Sequence, residues 1–199
     1  MLNRIKYLII LLYAALLHSC TATNMTRYYS EHQLVLDSIQ HSYSTQFSIN
    51  PFSLSFTNKS FTAVSIEIMT DSMRLVYEFD IKEERMKDSL TKYKMSPAGI
   101  AELIRTMRSI HCIWVNNLDY YEDDVKNSLV YMSIRARPFN VPFTNKQYYI
   151  LTYFNRPQYY DEKGRLLVGR KERRIRKINN DVFRRINDNV CYTVSNLFR

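Results

Sequence analysis

FSLSFTNKSFTAVSIEIMTDSMRLVYEFDI, residues 52–81, is the stretch in which apolar and polar residues alternate most regularly along this chain. Every second residue is apolar in Phe52–Phe56 and again within Phe61–Met69, a period of two that is typical of half-buried strands. The polar segment 57–60 between them predicts a turn, so the two runs predict a β-hairpin. After a second turn at 70–72, Met73–Lys82 alternates again and predicts a third strand with one apolar and one largely polar face.

A helix is predicted after this sheet segment. Ser96 is suited to the N-cap, and Pro97 follows at the first helical position, where its missing N–H costs nothing. Apolar residues recur downstream at helical spacing, at Ile100, Leu103, Ile104 and Met107. Together with Trp114, these residues are expected to pack on a sheet face that carries Leu75, Tyr77, Phe79 and Ile150.

Further strands are predicted downstream. Ser109–Val115 is expected to enter the core as a buried connection or strand, and Ser128–Ala136 and Gln147–Asn155 both alternate as strands do. Gly164 is expected to supply a positive φ in a turn. Upstream, Glu31–Ile39 fits either a helix with Leu34, Val35 and Ile39 on one stripe or a short strand with Leu34 and Leu36 on one side.

The C-terminal segment from Arg170 has helical periodicity, with Ile175, Ile178, Val182, Ile186 and Val190 on one side. Residues 163–199 contain 11 basic and 3 acidic residues, whereas residues 20–162 contain 15 basic and 16 acidic ones. The basic excess therefore lies at the C-terminus. Six of these basic residues form a cluster, namely Arg173, Arg174, Arg176, Lys177, Arg184 and Arg185. The cluster is expected either to touch an anionic membrane surface or only to solubilise the helix.

These elements predict an α+β fold. The expected architecture is an antiparallel sheet of about five or six strands, with one mid-chain helix and a C-terminal helix packed on it. With 46% hydrophobic residues and only three glycines and five prolines, residues 28–199 are expected to form a single folded domain.

The N-terminus has the layout of a secretory signal. Arg4 and Lys6 precede an apolar run over Tyr7–Leu17, which is too short to span a bilayer and is followed by small residues and Cys20. Residues 1–19 are therefore predicted to be a signal peptide, and residues 20–27 a polar tether.

The four residues Leu17-His18-Ser19-Cys20 resemble the lipobox of bacterial lipoproteins. That resemblance implies that Cys20 becomes a lipidated N-terminus and that two or three acyl chains hold the protein on a membrane. The implied location is the cell envelope, by default the outer membrane facing the periplasm. Nucleic acid is not an expected partner.

The sequence excludes several kinds of catalytic site. Its glycines, at 99, 164 and 169, cannot form a P-loop or a G-x-G-x-x-G turn. The histidines are not at metal-ligand spacing, so neither a metal nor another cofactor is predicted. Cys112, although it follows His111, is expected to be a buried structural thiol, because neighbouring residues point apart. Cys112 and Cys191 are expected to be unbridged.

An acidic loop is predicted at 119–124, and its carboxylates are weak catalytic candidates. They are Asp119, Glu122, Asp123 and Asp124, beside Tyr120 and Tyr121. Glycosidases use two carboxylates held roughly 5 to 9.5 Å apart, but an acidic loop is more often simply solvated.

The sequence thus predicts a lipid-anchored bacterial envelope protein with a role in binding, assembly or structure. The possible partner is an envelope protein or a glycan. Two alternatives stay open. One is an envelope hydrolase acting on glycans, and the other is a lipoprotein inhibitor or immunity factor.

Overall fold

A computed structural model describes residues 2–122, 125–135, 147–166 and 183–197, with the backbone alone for residues 2–24, 121 and 122. The chain forms two compact units, Met1–Gln33 and Leu34–Arg199. The first consists, in its described part, of the N-terminal portion of a long helix. The second holds the rest of that helix together with the sheet.

The described residues form three helices and eight strands. The helices are α1 Leu2–Phe47, α2 Glu84–Lys92 and α3 Pro97–Ser109. The strands are β1 Phe52–Phe56, β2 Ala63–Met69, β3 Arg74–Asp80, β4 Cys112–Glu122, β5 Val125–Arg135, β6 Tyr148–Phe154, β7 Arg184–Arg185 and β8 Val190–Ser195.

All eight strands belong to one antiparallel sheet in the order β3-β2-β1-β4-β5-β6-β8-β7. The predicted α+β class with an antiparallel sheet is therefore confirmed. The expected five or six strands were too few, because β4 and β5 form a long hairpin and the C-terminal segment adds two strands that the sequence pattern had suggested were helical.

The hairpin and the third strand predicted from 52–81 are confirmed. Leu54 pairs with Ile66, and Ile66 pairs in turn with Tyr77, so the apolar positions of all three strands fall on one face. Asn58 stabilises the first turn, since its side-chain oxygen accepts hydrogen bonds from the Thr62 and Ala63 amides at 3.0 and 3.3 Å.

The mid-chain helix α3 has the predicted phase and cap. The Ser96 hydroxyl oxygen accepts a hydrogen bond from the Gly99 amide at 3.1 Å, and Pro97 is the first helical residue. The four apolar residues of its predicted stripe, Ile100, Leu103, Ile104 and Met107, are buried.

One face of the sheet, here called the helical face, packs against helices. Tyr43 of α1 donates a hydrogen bond to the Phe52 carbonyl at 2.5 Å and is tilted against the Phe52 ring at 4.9 Å. Tyr93, which ends α2, contacts Tyr77 of β3 through their hydroxyls at 2.7 Å. The main core lies between this face and the helices.

Trp114 and Ile150 do not lie on the helical face, so that part of the packing prediction is wrong. Trp114 pairs with Ser55 and with Ser133, and Ser133 pairs with Ile150, which places Trp114 and Ile150 on the opposite face. A register irregularity between Cys112 and Trp114 marks the start of β4. Such pairing depends on strands distant in sequence, and the alternation within one strand does not reveal it.

The predicted C-terminal helix is wrong for residues 184–195. Arg184–Arg185 and Val190–Ser195 are the strands β7 and β8 of a hairpin. The Asn187 side chain accepts hydrogen bonds from the Asn189 and Val190 amides at 2.9 and 2.8 Å, which holds the turn. This local turn chemistry competes with the helical spacing of Ile186 and Val190. Residues 167–182 lie outside the described part of the chain.

Of the two alternatives for Glu31–Ile39, the helix is confirmed, since the segment lies within α1. The residues of α1 that are buried here are Leu36, Ile39 and Tyr43, whereas Leu34 of the predicted stripe is 87% exposed. The charged segment before α3 contains the helix α2, which was not expected from the sequence pattern. It is amphipathic, with Met86 and Leu90 buried.

Candidate functional site

A polar depression of about 510 Å³ lies on the face of the sheet opposite the helices, over β3, β2, β1 and β4. This surface is called the polar face below. Its lining consists of Ser53, Ser55, Ser65, Glu67, Arg74, Val76, Glu78, Trp114 and Asn116.

The alternation of the strands produces this polar lining. Ser53 and Ser55 occupy the positions between the buried apolar residues of β1, and they pair with Glu67 and Ser65 of β2. Because directly paired residues share a face, the small hydroxyl side chains of neighbouring strands lie next to one another. Small side chains in the middle of a sheet leave the depression.

A charged network crosses the depression. Glu67 accepts a hydrogen bond from the Ser53 hydroxyl at 3.1 Å and forms an ion pair with Arg74. The Glu67 side chain is only 17% exposed, while that of Arg74 is 64% exposed. The carboxylate is therefore held in the sheet, and the guanidinium extends towards solvent.

Trp114 contributes an aromatic ring to this site. It is 8% exposed, and it lies in β4 beside Ser55 of β1. The indole is a large surface with one N–H donor. With the serine hydroxyls and the Asn116 amide, it offers a bound polar group several hydrogen-bonding and stacking contacts.

The described residues of the depression supply hydrogen-bonding groups. Ser53 has an acidic neighbour, because its hydroxyl donates a hydrogen bond to the Glu67 carboxylate. That carboxylate is already in an ion pair with Arg74. A nucleophile needs a base that can take its proton, and none of the described residues that line the depression is a histidine. Across the described residues, no group of three or more histidine, cysteine or acidic side chains is placed to hold a metal ion.

The acidic candidates lie elsewhere. Asp119 and Glu122 belong to strand β4, so the predicted loop is wrong at these positions, and Asp123 and Asp124 lie outside the described residues. The Asp119 carboxylate is paired with Lys126 of β5 at 2.8 Å. Asp119, the candidate whose side chain the structure describes, does not line the polar depression.

The basic candidates that the structure describes are Arg184 and Arg185, both exposed in β7. Arg185 forms an ion pair with Asp188 and lies over the Tyr160 ring at 5.5 Å. Because the two arginines are adjacent in a strand, they do not share one helical face. Arg173, Arg174, Arg176 and Lys177 lie outside the described residues.

Both remaining thiols are free and buried, as predicted. β5 and β6 separate β4, which carries Cys112, from β8, which carries Cys191. Three strand spacings amount to roughly 14 Å, well beyond the Cα separation of about 7 Å that limits a disulfide. Burial raises the pKa of Cys112 to about 12 and also raises that of Cys191. Neither thiol is therefore an activated nucleophile.

Cys20, the predicted lipidation site, lies within the described backbone of α1, as do residues 20–27 of the predicted tether. The limits of the signal peptide and tether stay predictions. Within the part of the chain that the structure covers, no helix has the length and apolar character needed to cross a membrane.

The polar positions of β1 and β3 are visible separately in the sequence, but their spacing does not predict that they form one site. The available signal was the series Ser53, Ser55, Ser65 and Glu67, all at the positions between apolar strand residues. Joining them requires the strand order, which places β1 between β2 and β4.

No family model, curated protein or solved structure matches this chain in comparisons with known proteins.

Proposed function

We propose that this protein is a lipid-anchored bacterial envelope protein that acts by binding a partner at its polar face. The observation that carries the binding role is the depression over β3, β2, β1 and β4, lined by hydroxyl, amide and charged side chains around Trp114. The lipid anchor is supported by the resemblance of residues 17–20 to a lipobox.

The arrangement of polar groups favours a hydrogen-bonding partner, such as an envelope protein segment or a glycan. Serine and asparagine side chains both donate and accept hydrogen bonds, and aromatic rings stack on flat ligand surfaces. The lining carries two carboxylates, Glu67 and Glu78, and one guanidinium, Arg74, which gives a net charge of −1, so the site suits a partner that is polar without a large net charge.

The binding role is tested by filling the depression. Ser65→Tyr places a bulky ring among the serines, whereas Leu34→Tyr places the same ring on an exposed position of α1 and is the matched control. Partners are captured from membranes by in vivo crosslinking of the full chain. We expect a specific crosslinked partner with the native chain and with Leu34→Tyr, and its loss with Ser65→Tyr. Retention of the partner by a folded Ser65→Tyr chain would contradict the proposed site.

The anchor is tested separately. Cells fed a palmitate analogue should label the native chain, and Cys20→Ala should lose the label. Equal labelling of the two chains would contradict lipidation at Cys20 without bearing on the polar face.

A further inference from the structure

The two edges of the sheet differ. At one edge, the two-residue strand β7 is covered by the turn that contains Gly164, through hydrogen bonds from Arg185 N–H to the Gly164 carbonyl and from Leu166 N–H to the Phe183 carbonyl, at 2.8 and 3.0 Å. At the other edge, β3 is seven residues long, and no further strand pairs with it among the described residues.

The hydrogen-bond pattern of β3 shows which of its backbone groups face outward. The pairs Thr62–Ile81 and Thr70–Met73, which lie in register with β2 and β3, are hydrogen bonded. In an antiparallel ladder, hydrogen-bonded pairs alternate with non-hydrogen-bonded pairs. Counting in steps of two from Met73 to Ile81, residues 75, 77 and 79 therefore form their backbone hydrogen bonds with β2. Residues 74, 76, 78 and 80 therefore direct their N–H and C=O groups to the free edge. Consistent with this, Asp80 N–H donates to the Glu83 side chain, at 3.3 Å, and not to β2.

β3 lacks most of the features that protect exposed edges. It contains no proline, its register with β2 is continuous, and Val76 is 59% exposed. Native edges are usually short, bulged, covered or marked by repelling charges. β3 does carry charges, but they have opposite signs at its two ends, which favours pairing with a strand of reversed direction.

We propose that β3 pairs in antiparallel fashion with β3 of a second copy of this chain, about a two-fold axis at Tyr77. In this register the outward-facing residues meet one another, which allows up to about eight inter-strand hydrogen bonds. Two of these bonds would use the Asp80 N–H and so displace Glu83. The facing pairs are Arg74 with Asp80, Leu75 with Phe79, Val76 with Glu78, and Tyr77 with Tyr77.

Charge complementarity and the number of hydrogen bonds together favour this register. An axis at Val76 would also pair oppositely charged residues, Arg74 with Glu78, but it allows only about six inter-strand bonds. Arg74, which also forms an ion pair with Glu67 of its own chain, faces Asp80 twice, once on each side of the axis, and opposite charges placed directly across two strands stabilise the pair. Apolar Leu75 and Phe79 face each other on the helical side. A shift by two residues about an axis at Glu78 would place Glu78 against its own copy, which is repulsive.

Pairing would also join the two polar depressions. Arg74, Val76 and Glu78 line the depression and belong to the edge strand. The paired sheets would therefore present one continuous polar surface across the two-fold axis. The dimer does not depend on the proposed binding role, because the free edge of β3 and the side chains that would face each other across it are the same whether or not the depression binds a partner.

The first experiment measures the mass of the full chain in detergent by light scattering coupled to size-exclusion chromatography. Val76→Pro removes an outward N–H that does not bond to β2, so the ladder of the monomer is kept. Val76→Thr keeps that N–H and is the matched control. We expect a dimer for the native chain and for Val76→Thr, and a dissociation constant raised at least about tenfold for Val76→Pro.

The second experiment does not depend on the fold tolerating proline. Tyr77→Cys places two thiols across the axis, where facing Cβ atoms are about 4.5–5.5 Å apart, and Leu34→Cys is the exposed control on α1. Under mild oxidation of membranes, Tyr77→Cys should give a disulfide-linked dimer and Leu34→Cys should not. A monomeric native chain, a dimeric Val76→Pro chain that is folded, or equal crosslinking of the two cysteine variants would each overturn the proposal. If the native chain were monomeric, the partner of the β3 edge would be a strand of a different protein and not a second copy of this chain.

Discussion

At the scale of single residues, burial governs the behaviour of the side chains in the sheet and helices. Cys112 is fully buried and Leu103 has no solvent-exposed area. Serines 53 and 55 are also buried, although they are polar, because their short side chains lie at the floor of the depression, between larger residues such as Trp114 and Glu67. The same degree of burial therefore has different consequences for a thiol, an apolar side chain and a hydroxyl.

Leu103→Ala should destabilise the protein by about 2–5 kcal/mol, because it removes a buried side chain and leaves a cavity. Urea unfolding followed by circular dichroism measures the change. Arg105→Ala, on the exposed side of α3, is the control and should cost less than about 1 kcal/mol, since its ion pair with Glu102 is exposed. Equal losses for the two variants would contradict the burial of Leu103.

Cys112 should make stability depend on pH in the alkaline range. Its pKa is raised by burial to about 12, whereas a thiol in an unfolded chain has a pKa of about 8.5. Below about pH 8.5 the thiol is protonated in both the folded and the unfolded state, so its contribution to the free energy of unfolding is fully present. As the pH rises towards 12, the unfolded state loses the proton and the folded state keeps it, so the free energy of unfolding falls.

Between pH 7.5 and 10, Cys112 should account for a loss of about 2 kcal/mol. Cys112→Ala removes this titration and leaves the other alkaline groups, so its stability should fall less over the same range. Urea unfolding at both pH values checks this. The same pH dependence in both chains would show that the thiol is not buried as described.

At the scale of elements, local signals decide where helices and turns begin. The α3 cap satisfies a backbone N–H that would otherwise lack a helical partner. Asn58 and Asn187 do the same for two hairpin turns, through bonds to amides two to five residues downstream. These short-range contacts are encoded in a few consecutive residues.

Ser96→Ala should destabilise the protein by about 1 kcal/mol, because the Gly99 amide loses its acceptor. Ser96→Asp is the matched control, since aspartate also caps helices and should preserve stability. Thermal unfolding of the three chains is the measurement. If alanine and aspartate lowered the melting temperature equally, the hydroxyl would not act as a cap.

At the scale of the whole molecule, the distribution of charge is uneven. The basic excess of the chain lies in residues 163–199. Lipid anchoring would keep these residues close to phosphate headgroups, where each basic residue contributes about 1 kcal/mol to attraction within a Debye length. A membrane-facing C-terminal region remains a prediction.

A chain that starts at Thr21, and so lacks both Cys20 and the apolar run 7–17, should bind anionic vesicles but not neutral ones, and less tightly as salt is raised. Replacing Arg173, Arg174, Arg176 and Lys177 with glutamine should reduce this binding. Co-sedimentation with vesicles checks both. Glutamine at Arg105 and Arg108 of α3 is the control and should leave binding unchanged. If binding were the same for anionic and neutral vesicles, the prediction would be contradicted, and the basic residues would serve only to keep the C-terminal region soluble.

The sequence alone determined the α+β class, the strands at 52–81, 128–135 and 148–154, and helix α3 with its cap, because each depends on a period of two or of 3.6 and on a few adjacent residues. It also identified Cys112 and Cys191 as unbridged. Tertiary structure alone decided the rest. Strand order brought Ser53, Ser65, Arg74 and Trp114 to one polar face, and turn formation at Asn187 replaced an expected helix with β7 and β8. These outcomes follow from pairing between segments distant in the chain, and pairing register is not encoded in the periodicity of either segment by itself.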